Sequence, residues 1–251
     1  MAERRTYIVT GACGGIGRSV ARVLLEAGHY VVLTDVVEPS DEVSQLLVPY
    51  AGNFKVVKCD ITSEAEVEAM VANACAASNK LDGAVNCAGI EQNMIALADM
   101  DLNVWQRVIN VNLTALFICL KYQIKAMLET GGGSIVNISS ALGQVALPNG
   151  CEYVTSKHGV NGLTKSAALD YSRQSVRVNA VSPGVIRTPM HDRNAHELWM
   201  KEFSALMQLK HPIGRMGEAD EVSAAVKWLL SDEASFVTGA IVAVDGGYTI
   251  E

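Results

Sequence analysis

Short runs of apolar, β-branched residues alternate with longer segments of helical periodicity along this chain. Several runs are apolar at nearly every position, which is typical of strands buried on both faces of a parallel sheet. The strand-then-helix order predicts an α/β fold, a doubly wound parallel sheet of about seven strands with helices on both faces. The predicted strands span residues 6–10, 30–35, 54–58, 83–86, 134–138, 176–181 and 240–244.

The segment 63–78 shows the helical pattern clearly. Ser63 followed by Glu66 has the spacing of a capping box, in which each side chain accepts a hydrogen bond from the other residue's main chain. The apolar positions fall on one helical face, which should pack on the sheet. They are Val67, Met70, Val71 and Ala74.

The composition predicts one globular domain over residues 1–251. Hydrophobic residues make up 49% of the chain and charged residues 19%, and no Pro/Ser-rich or charge-dense stretch divides it. The 20 basic and 27 acidic side chains give a net charge of −7. This balance argues against nucleic-acid binding, because phosphates require a basic face.

The cysteines and the N-terminus indicate a cytoplasmic protein. The six cysteines lie far apart without a CxxC pair, which predicts free thiols in a reducing compartment. No apolar signal segment opens the sequence, and the longest purely apolar stretch, 115–120, is too short to cross a bilayer. No HExxH motif occurs, and the five-residue spacing of His191 and His196 does not place them on one helical face. We therefore predict no metal and no membrane partner.

A glycine-rich loop follows the first predicted strand. The sequence from Thr10 reads TGACGGIG and passes directly into a helical pattern. Glycines allow the main chain to turn tightly against a pyrophosphate, and the N–H groups of the helix N-terminus hold its charge. Strand, loop and helix together predict a dinucleotide site, with a Gly-rich turn that binds nothing as the alternative. The predicted contacts are Gly11, Gly15, Ile16 and Gly17.

Asp35 ends the second predicted strand, 18 residues after Gly17. At this place a carboxylate accepts hydrogen bonds from the adenosine ribose of a dinucleotide. The same carboxylate would repel a ribose 2′-phosphate, and Val36, Val37 and Glu38 supply no arginine to neutralise it. We therefore predict NAD rather than NADP as the cofactor.

Tyr153 and Lys157 are four residues apart in a segment of helical pattern, so both project from one helical face. A tyrosine needs a cationic neighbour to act as a base near neutral pH, because its ordinary pKa is about 10. Lys157 is placed to lower that pKa and so to prepare Tyr153 for proton transfer. A surface tyrosine packing on a lysine stem is the alternative for the pair taken alone.

Further motifs extend this pattern to the C-terminus. They are Asn86-Cys87-Ala88-Gly89, Asn112, Ser140, Pro183-Gly184 with Thr188, and Asp245-Gly246-Gly247. In this order, and with the TGxxxGxG loop and the Tyr-Lys pair, they resemble the short-chain dehydrogenase/reductase family over almost the whole chain. The resemblance implies a Rossmann-like fold, hydride transfer between a nicotinamide and a secondary alcohol or ketone, and a homotetramer. Cys87 is the one departure, since the family commonly has asparagine there.

The resemblance also implies a catalytic tetrad of Asn112, Ser140, Tyr153 and Lys157. Ser140 is preferred to Ser139 because family members place the serine 13 residues before the tyrosine. Tyr153 would exchange a proton with the substrate, Ser140 would bind the substrate oxygen, and Lys157 would also bind the nicotinamide ribose. Asn112 would position a water or, as the alternative, bond to its own helix. The other implied cofactor contacts are Asp60 with Ile61 at the adenine, Asn86 and Gly89 at the ribose, and Thr188 at the carboxamide.

Three segments at the carboxyl ends of the strands are predicted to surround the substrate, namely 90–94, 141–152 and 190–216. Trp199, Phe203 and Leu206 form a helical stripe that is either core packing or part of a lid over the substrate. The predicted lid segment is 187–216. The predicted substrate contacts are Ser140, Gln144, Tyr153, Met190, Trp199 and Phe203.

Three functions are compatible with these motifs. The leading hypothesis is an NAD-dependent oxidoreductase that acts on a small secondary alcohol or ketone. An NAD-dependent epimerase or dehydratase can also use a Tyr-x-x-x-Lys pair, although such enzymes usually have a different glycine spacing and a longer C-terminal region. A non-catalytic cofactor-binding protein is the third hypothesis, but it would be expected to lack a tetrad member, and all four are present.

Overall fold

The structure, a computed structural model, describes residues 4–188 and 206–250. Its strands are β1 (Thr6–Thr10), β2 (Tyr30–Asp35), β3 (Phe54–Lys58), β4 (Gly83–Asn86), β5 (Gly133–Ile138), β6 (Val176–Pro183), β7 (Ile186–Arg187), β8 (Gly217–Glu218) and β9 (Ile241–Val244). Seven of them form one parallel sheet in the order β3-β2-β1-β4-β5-β6-β9. β7 and β8 pair separately as a short ladder.

Helices cover both faces of the sheet. They are α1 (Gly15–Glu26), α2 (Asp41–Leu47), α3 (Glu64–Ser78), α4 (Leu102–Ile109), α5 (Ala115–Glu129), α6 (Cys151–Tyr171) and α7 (Ala219–Leu230), with a π-helical turn, Asn110–Thr114, between α4 and α5. One apolar cluster joins α3, α5 and α6 to the sheet, and a second joins α1, α2 and α7 to the opposite face. The predicted fold class is therefore confirmed.

All seven predicted strands are present, with small changes at three boundaries. β5 begins one residue earlier, at Gly133, whose N–H bonds to the Ser175 carbonyl at 3.0 Å. β6 runs on to Pro183 because its last residues still pair with β9. β9 begins one residue later than predicted, since the N–H of Ala240 bonds to the side chain of Asn179.

The predicted capping box at the start of α3 is wrong. Ser63 occupies the N-cap position, but its side chain makes no capping bond. Glu66 accepts a hydrogen bond from the N–H of Asp60 instead, with 2.8 Å between Oε2 and the nitrogen. Its carboxylate therefore ties the helix to the loop after β3. The apolar face is confirmed, since Val67, Met70, Val71 and Ala74 are all buried.

Within the described residues, one helical stretch is long and apolar enough to cross a membrane by length and composition. It is Leu102–Glu129, 28 residues with a mean hydropathy of 1.2 in its most apolar window. Half of that window is buried inside the protein, and α5 packs against α3. Such burial is typical of a core helix, whose apolar face is covered by its own domain.

The cysteines agree with the prediction of free thiols. All six cysteines are free thiols. No group of three or more His, Cys, Asp or Glu side chains within 4–188 and 206–250 could hold a metal ion. His191 and His196 lie outside the described residues.

Candidate active site

Thr10 links two of the motifs at the carboxyl edge of the sheet. The strand order reverses between β1 and β4, and this is the place where open α/β sheets bind ligands. The hydroxyl of Thr10 accepts hydrogen bonds from the N–H groups of Cys87 and Ala88 at 3.1 and 3.2 Å. The loop after β4 is therefore fixed against the glycine loop after β1.

The glycine loop leaves no room for side chains where it meets α1. Gly11 has φ +65°, a left-handed conformation that favours glycine, and a Cβ on Gly17 would lie 2.1 Å from the Gly11 carbonyl oxygen. The N-cap residue, Gly14, offers no capping side chain, and the first turn of α1 has no acidic residue. Nothing in this turn competes with an anion for the N–H groups of the helix. The cradle therefore fits a pyrophosphate.

The carboxylate of Asp35 is held by the glycine loop. Its Oδ2 accepts a hydrogen bond from the N–H of Cys13 at 3.0 Å, and its Oδ1 accepts one from the N–H of Val37 at 3.4 Å. Sequence reasoning missed Arg18, which lines the same cavity of about 320 Å³ as Asp35. Arg18 is paired with Glu42 of α2 at 2.9 Å, so this nearby cation already has a carboxylate partner.

Asp60 and Ile61 lie in the loop after β3. β3 pairs with β2, which ends at Asp35. The loop begins where the N–H of Cys59 bonds to the Asp35 carbonyl at 2.9 Å. Oδ1 of Asp60 accepts hydrogen bonds from the N–H and the hydroxyl of Thr62 at 2.9 and 2.7 Å. The predicted adenine contacts are thus placed beside the predicted ribose contact.

Asn86 turns its side chain into the core and away from the crevice. Its Nδ2 donates to Asn137 at 2.9 Å and to Gln123 at 3.0 Å, and Gln123 donates back to its Oδ1 at 2.9 Å. These buried amides join β4, β5 and α5 in a satisfied network. A contact between Asn86 and a cofactor ribose must therefore come from the main chain.

Tyr153 and Lys157 lie one turn apart on α6, beside the ends of β4 and β5. Nζ of Lys157 is 5.5 Å from the centroid of the Tyr153 ring and donates a hydrogen bond to the Ile138 carbonyl at 3.0 Å. Ser140 follows β5, and its hydroxyl lies close enough to that of Tyr153 to lower the pKa of the tyrosine. Gly89 lies next to both the lysine and Asn112, since a Cβ there would be 3.8 Å from Nζ and 3.2 Å from the Asn112 Oδ1. The structure therefore brings three members of the predicted tetrad together.

The predicted direction of the Tyr153 pKa is wrong for the protein without a cofactor. Burial raises the pKa of Tyr153 to about 12, the hydrogen bond with Ser140 lowers it in part, and the charge of Glu91 raises it. Burial also lowers the pKa of Lys157 to about 8, which leaves the lysine largely protonated at neutral pH. The loss of solvation is the largest effect on the pKa of both side chains. Cys87 stays a neutral thiol, since burial raises its pKa to about 12.

Asn112, the fourth member, lies in the π-helical turn. Its Oδ1 accepts a hydrogen bond from the N–H of Ile90 at 2.8 Å, and its Nδ2 donates to the Ile90 carbonyl at 2.9 Å and to Ser156 at 3.3 Å. The alternative that Asn112 bonds to its own helix is wrong, because the side chain reaches the loop after β4 instead. π-helical turns are frequent at functional sites.

Comparison with known proteins agrees with this geometry. A family model described as enoyl-(acyl carrier protein) reductase matches residues 11–249. The chain is 44% identical to a 2,5-dichloro-2,5-cyclohexadiene-1,4-diol dehydrogenase of Sphingobium indicum over 98% of this chain and 97% of the relative. It is 40% identical to the cyclohexanol dehydrogenase of an Acinetobacter species over 98% and 96% of the two chains. The solved structure of ElxO with NADP bound has a TM-score of 0.93 at 29% identity, covering 99% of this chain and 100% of its own.

The chain belongs to the short-chain dehydrogenase/reductase family. The fold is Rossmann-like, and the protein is an oxidoreductase that transfers a hydride between a nicotinamide cofactor and a secondary alcohol or ketone. The two relatives named above are dehydrogenases, which confirms the oxidoreductase activity of the leading hypothesis over the epimerase and the non-catalytic alternatives.

We expect Gly17→Ala to abolish cofactor binding to this dehydrogenase. The added methyl group would overlap the Gly11 carbonyl at 2.1 Å, so the loop must open at the point where the pyrophosphate is predicted to bind. NADH titration followed by fluorescence measures the loss. Gly162→Ala, an exposed position in α6 with open space around its Cβ, is the matched control and should bind like wild type. Wild-type affinity in Gly17→Ala would remove the loop from the cofactor site.

Of the predicted substrate contacts, Gln144 lies within the described residues, as do Ser140 and Tyr153. Nε2 of Gln144 donates to the hydroxyl of Ser182 at 3.0 Å, which places this predicted contact at the end of β6. Leu206 is half exposed, and Thr188 is partly buried after β7. The lid segment 187–216 stays a prediction. Met190, Trp199 and Phe203 lie outside the described residues.

Glu152 is fully buried, and its carboxylate anchors the loop that follows β4. Its Oε1 accepts hydrogen bonds from the N–H and the amide of Asn93 at 2.8 and 3.2 Å. Ile95 in the same loop bridges to Gly150, just before α6. The loop is therefore held at the N-terminus of α6, next to the turn that carries Tyr153.

Proposed function

We propose that this dehydrogenase oxidises a cyclic secondary alcohol to the ketone with NAD⁺, with Tyr153 as the general acid/base. One observation carries the proposal, the convergence of Tyr153, Ser140 and Lys157 beside a glycine loop shaped for a pyrophosphate. Proton transfer from an alcohol requires a positioned group within hydrogen-bond reach of the substrate oxygen. The cluster supplies such a group.

Ser140, Tyr153 and Lys157 have different roles at the substrate oxygen. The hydroxyl oxygen of Ser140 accepts a hydrogen bond from the N–H of Leu142 at 3.1 Å. Its proton faces Tyr153 in the free protein and can turn to a substrate oxygen bound between the two side chains. Tyr153 takes the proton of the alcohol. Lys157, anchored to the Ile138 carbonyl, keeps a positive charge near the phenolate that forms. The bound cofactor supplies the hydride acceptor and, in its oxidised form, a further positive charge.

The preference for NAD rests on the charge around Asp35. A ribose 2′-phosphate would bring a second negative charge next to this carboxylate, and close like charges cost several kcal/mol. Two cations, Arg18 and Arg22, line the same cavity as Asp35. Both already have carboxylate partners, Glu42 for Arg18, and Glu26 and Asp220 for Arg22. The ribose hydroxyls of NAD instead find an acceptor that two main-chain N–H groups hold in place.

The cyclic substrate is inferred from the names of the two relatives described above. The names of the two dehydrogenases at 44% and 40% identity both specify a six-membered carbon ring that carries a hydroxyl group. We also expect one domain over residues 1–251, a cytoplasmic location that suits six free thiols, and a homotetramer.

A matched alcohol panel tests the proposal. The purified protein is incubated with NAD⁺ or NADP⁺ and with cyclohexanol, the open-chain secondary alcohol 2-hexanol, or the primary alcohol 1-hexanol, while absorbance of the reduced cofactor is followed. We expect the highest kcat/KM with cyclohexanol and NAD⁺, and no turnover of 1-hexanol. A preference for 2-hexanol would contradict the cyclic substrate. Tight NADH binding without turnover of any secondary alcohol would contradict the catalytic role.

A further inference from the structure

His211 is a buried histidine that takes no part in the proton transfer proposed above. Only 2% of its surface is exposed. Its Nδ1 lies 2.5 Å from the carbonyl oxygen of Met207, and its Nε2 lies 3.1 Å from the main-chain nitrogen of Val185. Each ring nitrogen thus has one main-chain partner.

These two partners fix the protonation of the ring. The carbonyl of Met207 can only accept, so Nδ1 carries the proton, whereas the N–H of Val185 can only donate, so Nε2 carries none. His211 is therefore a neutral imidazole that serves as the acceptor for Val185. An imidazolium would set an N–H group against the N–H of Val185 and lose this bond.

The loop after β6 is built around the imidazole ring. A Cβ on Gly184 would lie 2.6 Å from Nε2, so a side chain at that position would displace the histidine. The ring of Tyr248 packs on His211 with 5.2 Å between centroids. The carbonyl of Val185 accepts a hydrogen bond from the N–H of Gly217 at 3.0 Å. Both main-chain polar groups of Val185 are therefore held by residues that follow position 206.

Val185 is connected to Thr188 by β7, whose Arg187 is paired with Glu218 of β8 at 3.3 Å. We propose that His211 is a positioning residue for the nicotinamide end of the cofactor. By fixing the main chain of Val185, it sets the place of Thr188, three residues further along the chain. The inference rests on the proposed function and on the family resemblance, which implies that Thr188 holds the nicotinamide carboxamide.

Two substitutions separate the two bonds of the imidazole. His211→Gln can place an amide oxygen where Nε2 was and so keeps the acceptor for Val185. His211→Asn can place its amide near the position of Nδ1, which keeps the donor to Met207 but leaves the N–H of Val185 without an acceptor. The dissociation constants of NADH and ADP-ribose are measured for both variants and wild type. ADP-ribose contains the adenosine and the pyrophosphate but no nicotinamide.

We expect His211→Asn to bind NADH about tenfold more weakly than wild type, because a buried N–H group loses its partner next to the nicotinamide site. Its affinity for ADP-ribose should stay at the wild-type value, and His211→Gln should match wild type for both ligands. If the asparagine variant does not fold, His211→Phe replaces it, since phenylalanine keeps a ring against Gly184 but offers no acceptor. The same NADH-specific loss is then expected.

Each other outcome is decisive. An equal loss of NADH and ADP-ribose affinity would give His211 a general structural role and overturn the proposal. Equal NADH affinities in His211→Asn and His211→Gln would show that the bond to Val185 does not position the cofactor. Failure of the wild-type protein to bind either ligand would instead overturn the proposed function itself.

Discussion

Replacement of Tyr153 by phenylalanine is expected to lower the turnover of the preferred alcohol at least about 100-fold, the usual contribution of a positioned general acid/base. The substitution keeps the ring beside Nζ of Lys157 and removes only the hydroxyl group that lies near Ser140. NADH affinity should therefore stay close to that of wild type. Steady-state kinetics and NADH titration on the same preparation measure both quantities.

Tyr171→Phe is the matched control for this substitution. Tyr171 ends the same helix and packs against the apolar cluster of α3, α5 and α6, remote in sequence from the turn that carries Tyr153. Its phenylalanine variant should retain wild-type turnover. If Tyr153→Phe kept more than about a tenth of wild-type turnover, the general acid/base would have to be another group.

The raised pKa of Tyr153 bears on how the reaction starts. With a pKa of about 12, the tyrosine of the free protein is protonated throughout the neutral range, and Lys157 alone does not make it a base. A bound oxidised nicotinamide adds positive charge at the site, which favours the phenolate. We therefore expect Tyr153 to lose its proton more readily when the oxidised cofactor is bound than in the free protein.

The sheet could be predicted because its inner strands, β2, β1, β4, β5 and β6, are buried on both faces. β1, with all five residues buried, corresponds to a run of apolar and β-branched residues with the same bounds as the strand. The bounds of β5 and β9 could not be read in this way, because they depend on partners in other segments, such as the bond from Ala240 to Asn179. Strand cores follow from local hydrophobicity, whereas strand ends follow from tertiary hydrogen bonds.

The site could be predicted as far as its residues sit in motifs. The motifs led to Tyr153, Lys157 and Ser140, which the structure places together. They gave no indication that Arg18 lines the same cavity as Asp35. The ion pair that holds Arg18 is with Glu42, 24 positions further along the chain. The raised pKa of Tyr153 could not be predicted from the sequence, because it depends on how deeply the folded chain buries the side chain.

Cofactor preference should follow the charge at the end of β2. In wild type, we expect NAD to bind at least about tenfold more tightly than NADP, because the Asp35 carboxylate accepts the ribose hydroxyls and repels a 2′-phosphate. Asp35→Ser removes both effects, so the affinity for NAD should fall while that for NADP rises. Glu38→Ser, which removes an exposed carboxylate three residues further along the chain, is the matched control and should leave the preference unchanged.

Adding Val36→Arg to Asp35→Ser should reverse the preference. Val36 is 57% exposed, so an arginine can enter there without displacing core residues. A charged hydrogen bond to the phosphate contributes about 1.5 to 3 kcal/mol, which corresponds to roughly 10- to 150-fold in affinity. Glu42→Gln as a third change would release Arg18 from its ion pair and add a second cation near the same cavity. NADP affinity should therefore rise stepwise through the three variants.

Dissociation constants of NAD and NADP for the wild type and the variants decide this argument. Equal affinities in the wild type would show that Asp35 does not face the ribose, whatever the variants do. A wild-type preference for NAD that survives Asp35→Ser would move the discrimination to another residue. If the preference is lost in Asp35→Ser but Val36→Arg adds nothing, the phosphate lies out of reach of position 36. In that case Arg18, freed by Glu42→Gln, would be the cation that receives it.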